Sequence, residues 1–158
     1  MAGRKGGEMR PIYETVEDLK NERDVADYLS SRWGCEFVKL KISYGLDFAV
    51  VKGNEVVSVA EVKCRNYTSQ QIDRLGGLML SASKAHRAGE WMDRHKIQFV
   101  LIAKLKDGLF ISAIEDWSPY DVKFAGRTDR GDWQDVEPCC MIPMSEFRKM
   151  EIENDPAS

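Results

Sequence analysis

Glu61-Val62-Lys63 closes an apolar, β-branched run, Val56-Val57-Ser58-Val59-Ala60, which reads as a buried strand. Two-residue alternation puts Glu61 and Lys63 side by side on one face. Charges are costly to bury unless they are paired or bound to metal. A second acid, Asp47, sits inside another apolar run, Leu46-Asp47-Phe48-Ala49-Val50-Val51. Two carboxylates and an ammonium on neighbouring strands supply the parts of a phosphodiester-hydrolysing metal site. The carboxylates offer hard oxygen ligands. The lysine orients or deprotonates an attacking water and stabilises developing negative charge. Asp47 and Glu61 are the candidate metal ligands, with the backbone carbonyl of Val62 as a further one, and Mg²⁺ or Mn²⁺ is the matching cofactor. The competing reading is a surface ion pair, with Asp47 merely a turn residue. ExK alone is weak, because 13 Glu and 12 Lys in 158 residues give about one occurrence by chance. Its place at the end of an apolar strand, after a strand carrying Asp47, gives it weight.

The strand register tests the site. A two-residue turn at Gly53-Asn54 pairs Lys52 with Glu55 and sets Asp47 opposite Ala60, which turns Glu61 to the other face. A three-residue loop, or a bulge, sets Asp47 opposite Glu61. The metal site therefore requires one of these two.

The elements that must position these residues follow from pattern. Residues 13–33 read as a helix, with Leu19, Glu22, Ala26, Leu29 and Trp33 at helical spacing and Gly34 as its stop. Glu22 lies in that apolar stripe and so needs a metal or a basic partner, with Glu14 and Glu17 as alternatives. The plain alternative is a solvent pair with Arg23 or Lys20. Strands are expected at 36–42, 45–52 and 55–64, and a second helix at 69–88, capped by Thr68 or Ser69. Ile72, Leu75, Gly76, Met79 and Ser83 would line its buried face. Strands at 97–103 and 109–114 join through Asp107-Gly108. Residues 124–138 read as a long charged loop, 139–144 as a short strand and 145–152 as a turn. The order α-β-β-β-α-β-β gives a single α/β domain with a mixed central β-sheet flanked by helices. Residues 1–10 read as a disordered lead-in, 11–152 as the domain and 153–158 as a tail.

Composition narrows the class. The content is 43% hydrophobic and 31% charged, with a net charge of −3. That is ordinary for a globular protein and argues against coating nucleic acid by bulk charge. Lys39, Lys41, Lys63, Arg65 and Arg74 form either a local basic patch that holds phosphate or, as charge alone favours, a solvated surface, and Arg127 and Arg130 either belong to a salt-bridged loop or add to the patch. Asp129, Asp132 and Asp135 oppose that role, while Trp133 offers a stacking face. No apolar run approaches the roughly 20 residues of a membrane span, and the start lacks a secretory h-region. The cysteines, Cys35, Cys64, Cys139 and Cys140, form no CxxC and read as reduced thiols of a cytoplasmic protein. Two histidines, His86 and His95, disfavour a His-rich metal centre. His86 reads as a packed helix residue.

Glu22, Gly45-Leu46-Asp47 and Glu61-Val62-Lys63 together resemble the PD-(D/E)XK nuclease superfamily over roughly residues 14–105. That family places a Glu on a helix, an Asp on the second strand and (D/E)xK on the third. The resemblance implies a restriction-endonuclease-like fold and Mg²⁺- or Mn²⁺-dependent hydrolysis. It also implies a polar residue near the start of the following helix, here Gln71 or Gln70, contacting metal-bound water or phosphate. The Pro of the family name is absent before Asp47. The implied function is a deoxyribonuclease, an endonuclease reading branched or single-stranded DNA, without a nucleotide cofactor. A homodimer would suit symmetric cutting of branched DNA. The small, single-domain layout is similar to phage or mobile-element nucleases, which would place it in a bacterial host's cytoplasm. The alternatives are a catalytically silent DNA- or protein-binding module on the same fold, or a nuclease subunit that needs a partner.

Overall fold

A computed structural model describes residues 19–126, 131 and 136–151. The N-terminal lead-in, Glu14 and Glu17, the charged-loop residues Arg127, Arg130 and Trp133, and the C-terminal tail lie outside the described residues.

The first helix, α1, spans Glu22–Trp33 rather than starting near residue 13. Asn21 fixes its start: the Asn21 side chain accepts from the Asp24 N–H at 3.0 Å, as a helix N-cap does. Glu22 and Asp24 follow in the first turn, where the helix dipole favours acids. Leu19, expected inside the helix, is fully buried just before it.

Six strands form the central sheet: β1 (Glu36–Lys39), β2 (Phe48–Lys52), β3 (Glu55–Cys64), β5 (Gln98–Leu105), β6 (Gly108–Ile114) and β9 (Arg148–Met150), in that spatial order. β3 and β5 are parallel and the other pairs antiparallel. The sheet is thus mixed, as expected. Its core splits by the alternation of strand side chains. Phe48, Ala60, Val62, Val100 and Ile102 pack with Val25 and Leu29 of α1 on one face. Val59, Leu101, Ala103 and Leu105 pack on the other face with the crossover that joins β3 to β5.

That crossover differs from the single helix expected at 69–88. It consists of a short helix α2 (Ser69–Arg74), a strand β4 (Leu78–Ser81) and a helix α3 (Ala82–His95). Gly76 and Gly77 break the helix at φ 101° and 115°, a region that disfavours residues with a Cβ. A Cβ on Gly77 would lie 2.8 Å from the Ile142 carbonyl oxygen, so the chain can pass the Ile142 backbone closely only with glycine there. Leu75 and Met79, expected on a buried face, are exposed, while Leu78 and Leu80 are buried in strand alternation. His86 is likewise exposed on α3 rather than packed.

The stretch 124–138 is not simply a loop. Asp121–Gly126 forms β7 and Val136–Ile142 forms β8, and β8 pairs with both β4 and β7 in a second, three-stranded sheet. The turn expected at 145–152 contains a 3-10 turn, Met144–Glu146, and the edge strand β9. All four cysteines are free.

Asp107, in the β5–β6 turn, ties α2 to the sheet. Its carboxylate accepts from the Ser69 N–H at 2.9 Å and the Ser69 hydroxyl at 2.6 Å. Partial burial works against the charge, but the Ser69 hydrogen bonds outweigh it and hold the Asp107 carboxyl below its ordinary range. A lowered carboxyl pKa stabilises the fold above the unfolded-state value, and that stability is lost as pH falls through the folded value. Asp107→Ala is expected to cost about 1 kcal/mol near neutral pH and progressively less in acid. Urea unfolding at two pH values checks this, and an equal cost at both would refute it.

Candidate active site

The site depends on one irregularity in the β2–β3 hairpin. Lys52 pairs with Glu55 across Gly53-Asn54, the short turn that by itself would turn Glu61 away from Asp47. The register then shifts between Val50 and Val51: Val51 pairs with Val56, but Val50 pairs with Ser58. Val57 is the extra residue of a β-bulge, and it is exposed. Beyond the bulge Phe48 pairs with Ala60. Continued one residue past the start of β2, this register sets Asp47 opposite Glu61, as the site requires.

Asp47 precedes β2 and is held from two sides. Its carbonyl accepts from the Leu40 N–H at 2.9 Å, and its Oδ2 accepts from the Val62 N–H at 3.0 Å. The second bond fixes the carboxylate beside the strand that carries Glu61. Glu61 is 3% exposed. Its Oε2 lies 2.7 Å from Lys84 Nζ and 3.8 Å from Lys63 Nζ. Its Oε1 is buried without a hydrogen-bond partner. Desolvation pushes the Glu61 carboxyl above its ordinary range, and the Asp47 charge adds to this. The hydrogen bond and charge of Lys84, and the charge of Lys63, oppose it.

Lys63 is moved in the opposite direction. Burial lowers its pKa, the attraction of Glu61 and Asp47 opposes that, and Arg65 and Lys84 push it down further. The strand backbone sets its position, because Lys63 pairs with Ala103 in the parallel β3–β5 ladder.

Glu22 enters through an intermediary. It accepts from Lys39 Nζ at 2.8 Å, and the same ammonium lies 3.5 Å from Asp47 Oδ1. Glu22 is therefore at the helix start, paired neither with Lys20 nor with Arg23. Lys39 also sits 5.0 Å from the Phe48 ring centre, a cation–π distance. Burial opposes its charge, but the Glu22 hydrogen bond and the two carboxylates more than offset that and raise its pKa. The described cluster is thus three acids, Glu22, Asp47 and Glu61, interleaved with three lysines, Lys39, Lys63 and Lys84.

A family model described as "Phage putative PDDEXK endonuclease" matches residues 8–150. The chain belongs to this family. That makes it a PD-(D/E)XK nuclease acting on DNA. The structure of Hjc, a Holliday junction resolvase from the archaeal hyperthermophile Archaeoglobus fulgidus, is similar with a TM-score of 0.51. The similarity covers 87% of this chain and 100% of that one at 18% identity, so the two share a restriction-endonuclease-like fold. No curated protein matches the chain.

Several predicted residues of this PDDEXK nuclease lie apart from the carboxylates. Gln71 completes a capping box on α2, where its side-chain oxygen accepts from the Thr68 N–H at 2.8 Å. No described contact joins it to Asp47 or Glu61. Lys41 and Arg74 are exposed. Arg65 is exposed, donates to the Cys64 carbonyl at 3.0 Å and lies close enough to lower the Lys63 pKa. The residue missed is Lys84. Reading 69–88 as one helix gave Lys84 the wrong direction. The usable signal was Ser81-Ala82-Ser83-Lys84 after a Gly-Gly break: Ser81 caps α3 and accepts from the Lys84 N–H at 3.2 Å.

Proposed function

We propose that this nuclease is a divalent-metal-dependent endodeoxyribonuclease, with Asp47, Glu61 and the Val62 carbonyl as metal ligands and branched or single-stranded DNA as its substrate. The observation that carries the reading is the bulge that sets Asp47 opposite Glu61, with Lys63 on the same face. The residues present fit Mg²⁺ or Mn²⁺. The donors are hard oxygens, and the buried Glu61 carboxylate, with its Oε1 unbonded, is left half-satisfied in a way that a cation on this carboxylate would relieve. Among the described residues no three His, Cys, Asp or Glu side chains converge as a ready-made cage. Two carboxylates and a carbonyl, completed by water, suit Mg²⁺, which dehydrates reluctantly. When bound, the ion supplies Lewis-acid activation of water and charge neutralisation at the phosphate.

The chain's own groups do the rest. Asp47 is oriented by the Val62 N–H. Lys63, with its pKa lowered by burial, is suited to take up the proton of the attacking water and to face the developing phosphorane charge. Arg65 lies beside it to hold a neighbouring phosphate. Cutting both strands of a branched substrate would call for a homodimer. Phage origin would make a bacterial host's cytoplasm the site of action, and no helix among the described residues is long and apolar enough to cross a membrane.

The test is cleavage of labelled single-stranded, duplex, flap and four-way DNA with Mg²⁺ or Mn²⁺, each with an EDTA control. Metal-dependent internal cuts, strongest on flap, four-way or single-stranded DNA, are expected. Equal cutting of plain duplex would remove the structural preference. Absence of cutting on every substrate would favour a silent binding module or a subunit that needs a partner.

A further inference from the structure

Lys84 is the closest charged group to Glu61, yet it lies outside the ExK tripeptide. It comes from the first turn of α3, the last element of the β3–β5 crossover. Its ammonium occupies Oε2 of Glu61 at 2.7 Å, while Lys63 stands off at 3.8 Å. The other oxygen, Oε1, is buried and bonded to nothing. A carboxylate with one oxygen taken by a single ammonium and the other empty is a half-satisfied buried ion pair, which costs more than a complete one. The cluster also balances formally: Glu22, Asp47 and Glu61 against Lys39, Lys63 and Lys84.

We infer that Lys84 is an internal counter-ion of the metal-free site, and that a divalent cation must displace its ammonium from Glu61 to load. The inference rests on the metal reading proposed above. Lys84 is the lysine placed to leave. Its side chain is 29% exposed, against 15% for Lys63, so an unbranched four-carbon stem can carry the charge outward to water. Lys63 is held opposite Ala103 in the β3–β5 ladder, and its more buried side chain has less open room to swing outward. The backbone of Lys84 stays fixed through the Ser81 cap while its head group moves. In the metal-free state the ammonium limits Coulomb repulsion between Asp47 and Glu61. In the loaded state it is released on the open side of the site, and the two added charges of the metal make the cluster cationic toward phosphate. Metal and Lys84 thus compete for the same carboxylate, and competition between two ligands for one group is a negative coupling.

The experiment is calorimetric titration of Mn²⁺ into metal-free wild type, Lys84→Met and Lys84→Arg, without DNA. Lys84→Met is expected to bind Mn²⁺ roughly tenfold more tightly than wild type, because the competing charge is gone. Lys84→Arg keeps a cation and is expected to bind no more tightly than wild type. Should Lys84→Met fail to fold, the same comparison with Lys84→Gln, which retains a polar head without charge, decides the question. Equal or weaker Mn²⁺ binding by the neutral variants, with wild type binding normally, overturns the inference and makes Lys84 a residue that positions Glu61 for the metal. Absence of Mn²⁺ binding in wild type overturns the metal reading itself and the inference with it.

Discussion

Glu61→Gln is expected to abolish cleavage, by on the order of 10³-fold or more, while the metal-free protein unfolds at or above the wild-type temperature. The two effects have one cause. Burial raises the Glu61 carboxyl pKa in the folded state, so the fold disfavours the carboxylate. For such a group the sign is opposite to that of Asp107: stability declines as pH rises above the unfolded-state value, and wild type carries that cost at neutral pH. Glutamine has almost the same shape and no charge to desolvate. It cannot, however, supply an anionic oxygen to a divalent ion. Millimolar Mn²⁺ should raise the wild-type unfolding temperature by binding only the native state, and should leave Glu61→Gln unchanged. Thermal unfolding with and without Mn²⁺, beside a cleavage assay, measures both. A drop of several degrees in metal-free Glu61→Gln would show instead that the Lys84–Glu61 pair is a net structural asset.

This balance explains why the candidate cluster was legible in the sequence. A strand that ends apolar-Glu-apolar-Lys violates its own burial pattern, and the violation persists in the structure as a half-satisfied carboxylate. Asp47 was legible for the same reason. Their opposition was not, because it depends on the bulge. Val56, Val57 and Ser58 are ordinary strand residues, and nothing in their types says which one falls out of register. The fold class came through the long continuous apolar runs of β3, β5 and β6. The crossover did not, because Leu78-Met79-Leu80-Ser81 has only four residues in which to show a two-residue period, and it continues into a real helix. Two consecutive glycines were the available warning, and their meaning becomes plain only against Ile142, a partner 65 residues away in sequence. Lys84 was lost with that error. A lysine on a helix surface is usually solvated, and only the direction of α3 turns this one onto Glu61. Strands β7 and β8 were hidden for a different reason: four consecutive residues of β7, Asp121 to Phe124, are exposed, so the strand shows no apolar alternation.

Lys63 is expected to behave unlike both of its neighbours. Lys63→Ala should lower cleavage by on the order of 10³-fold or more yet retain the Mn²⁺-induced rise in unfolding temperature, because a lysine is no metal ligand and its charge opposes a cation. Lys63→Arg separates the two roles of the ammonium. Arginine keeps the positive charge beside Glu61 but stays protonated at any working pH, so it can stabilise phosphate charge and cannot accept a proton from water. The lowered Lys63 pKa favours the proton-accepting role, and Lys63→Arg is therefore expected to be as inactive as Lys63→Ala. Substantial activity in Lys63→Arg would assign Lys63 to charge stabilisation alone. Loss of Mn²⁺ binding in Lys63→Ala, with its fold intact, would mean that the lysine holds Glu61 in place and that the chemistry is carried by the ion and Asp47. The distance already argues against such a clamp: at 3.8 Å from Glu61 Oε2, Lys63 leaves the close contact to Lys84 and keeps its own head group free for the reacting phosphate.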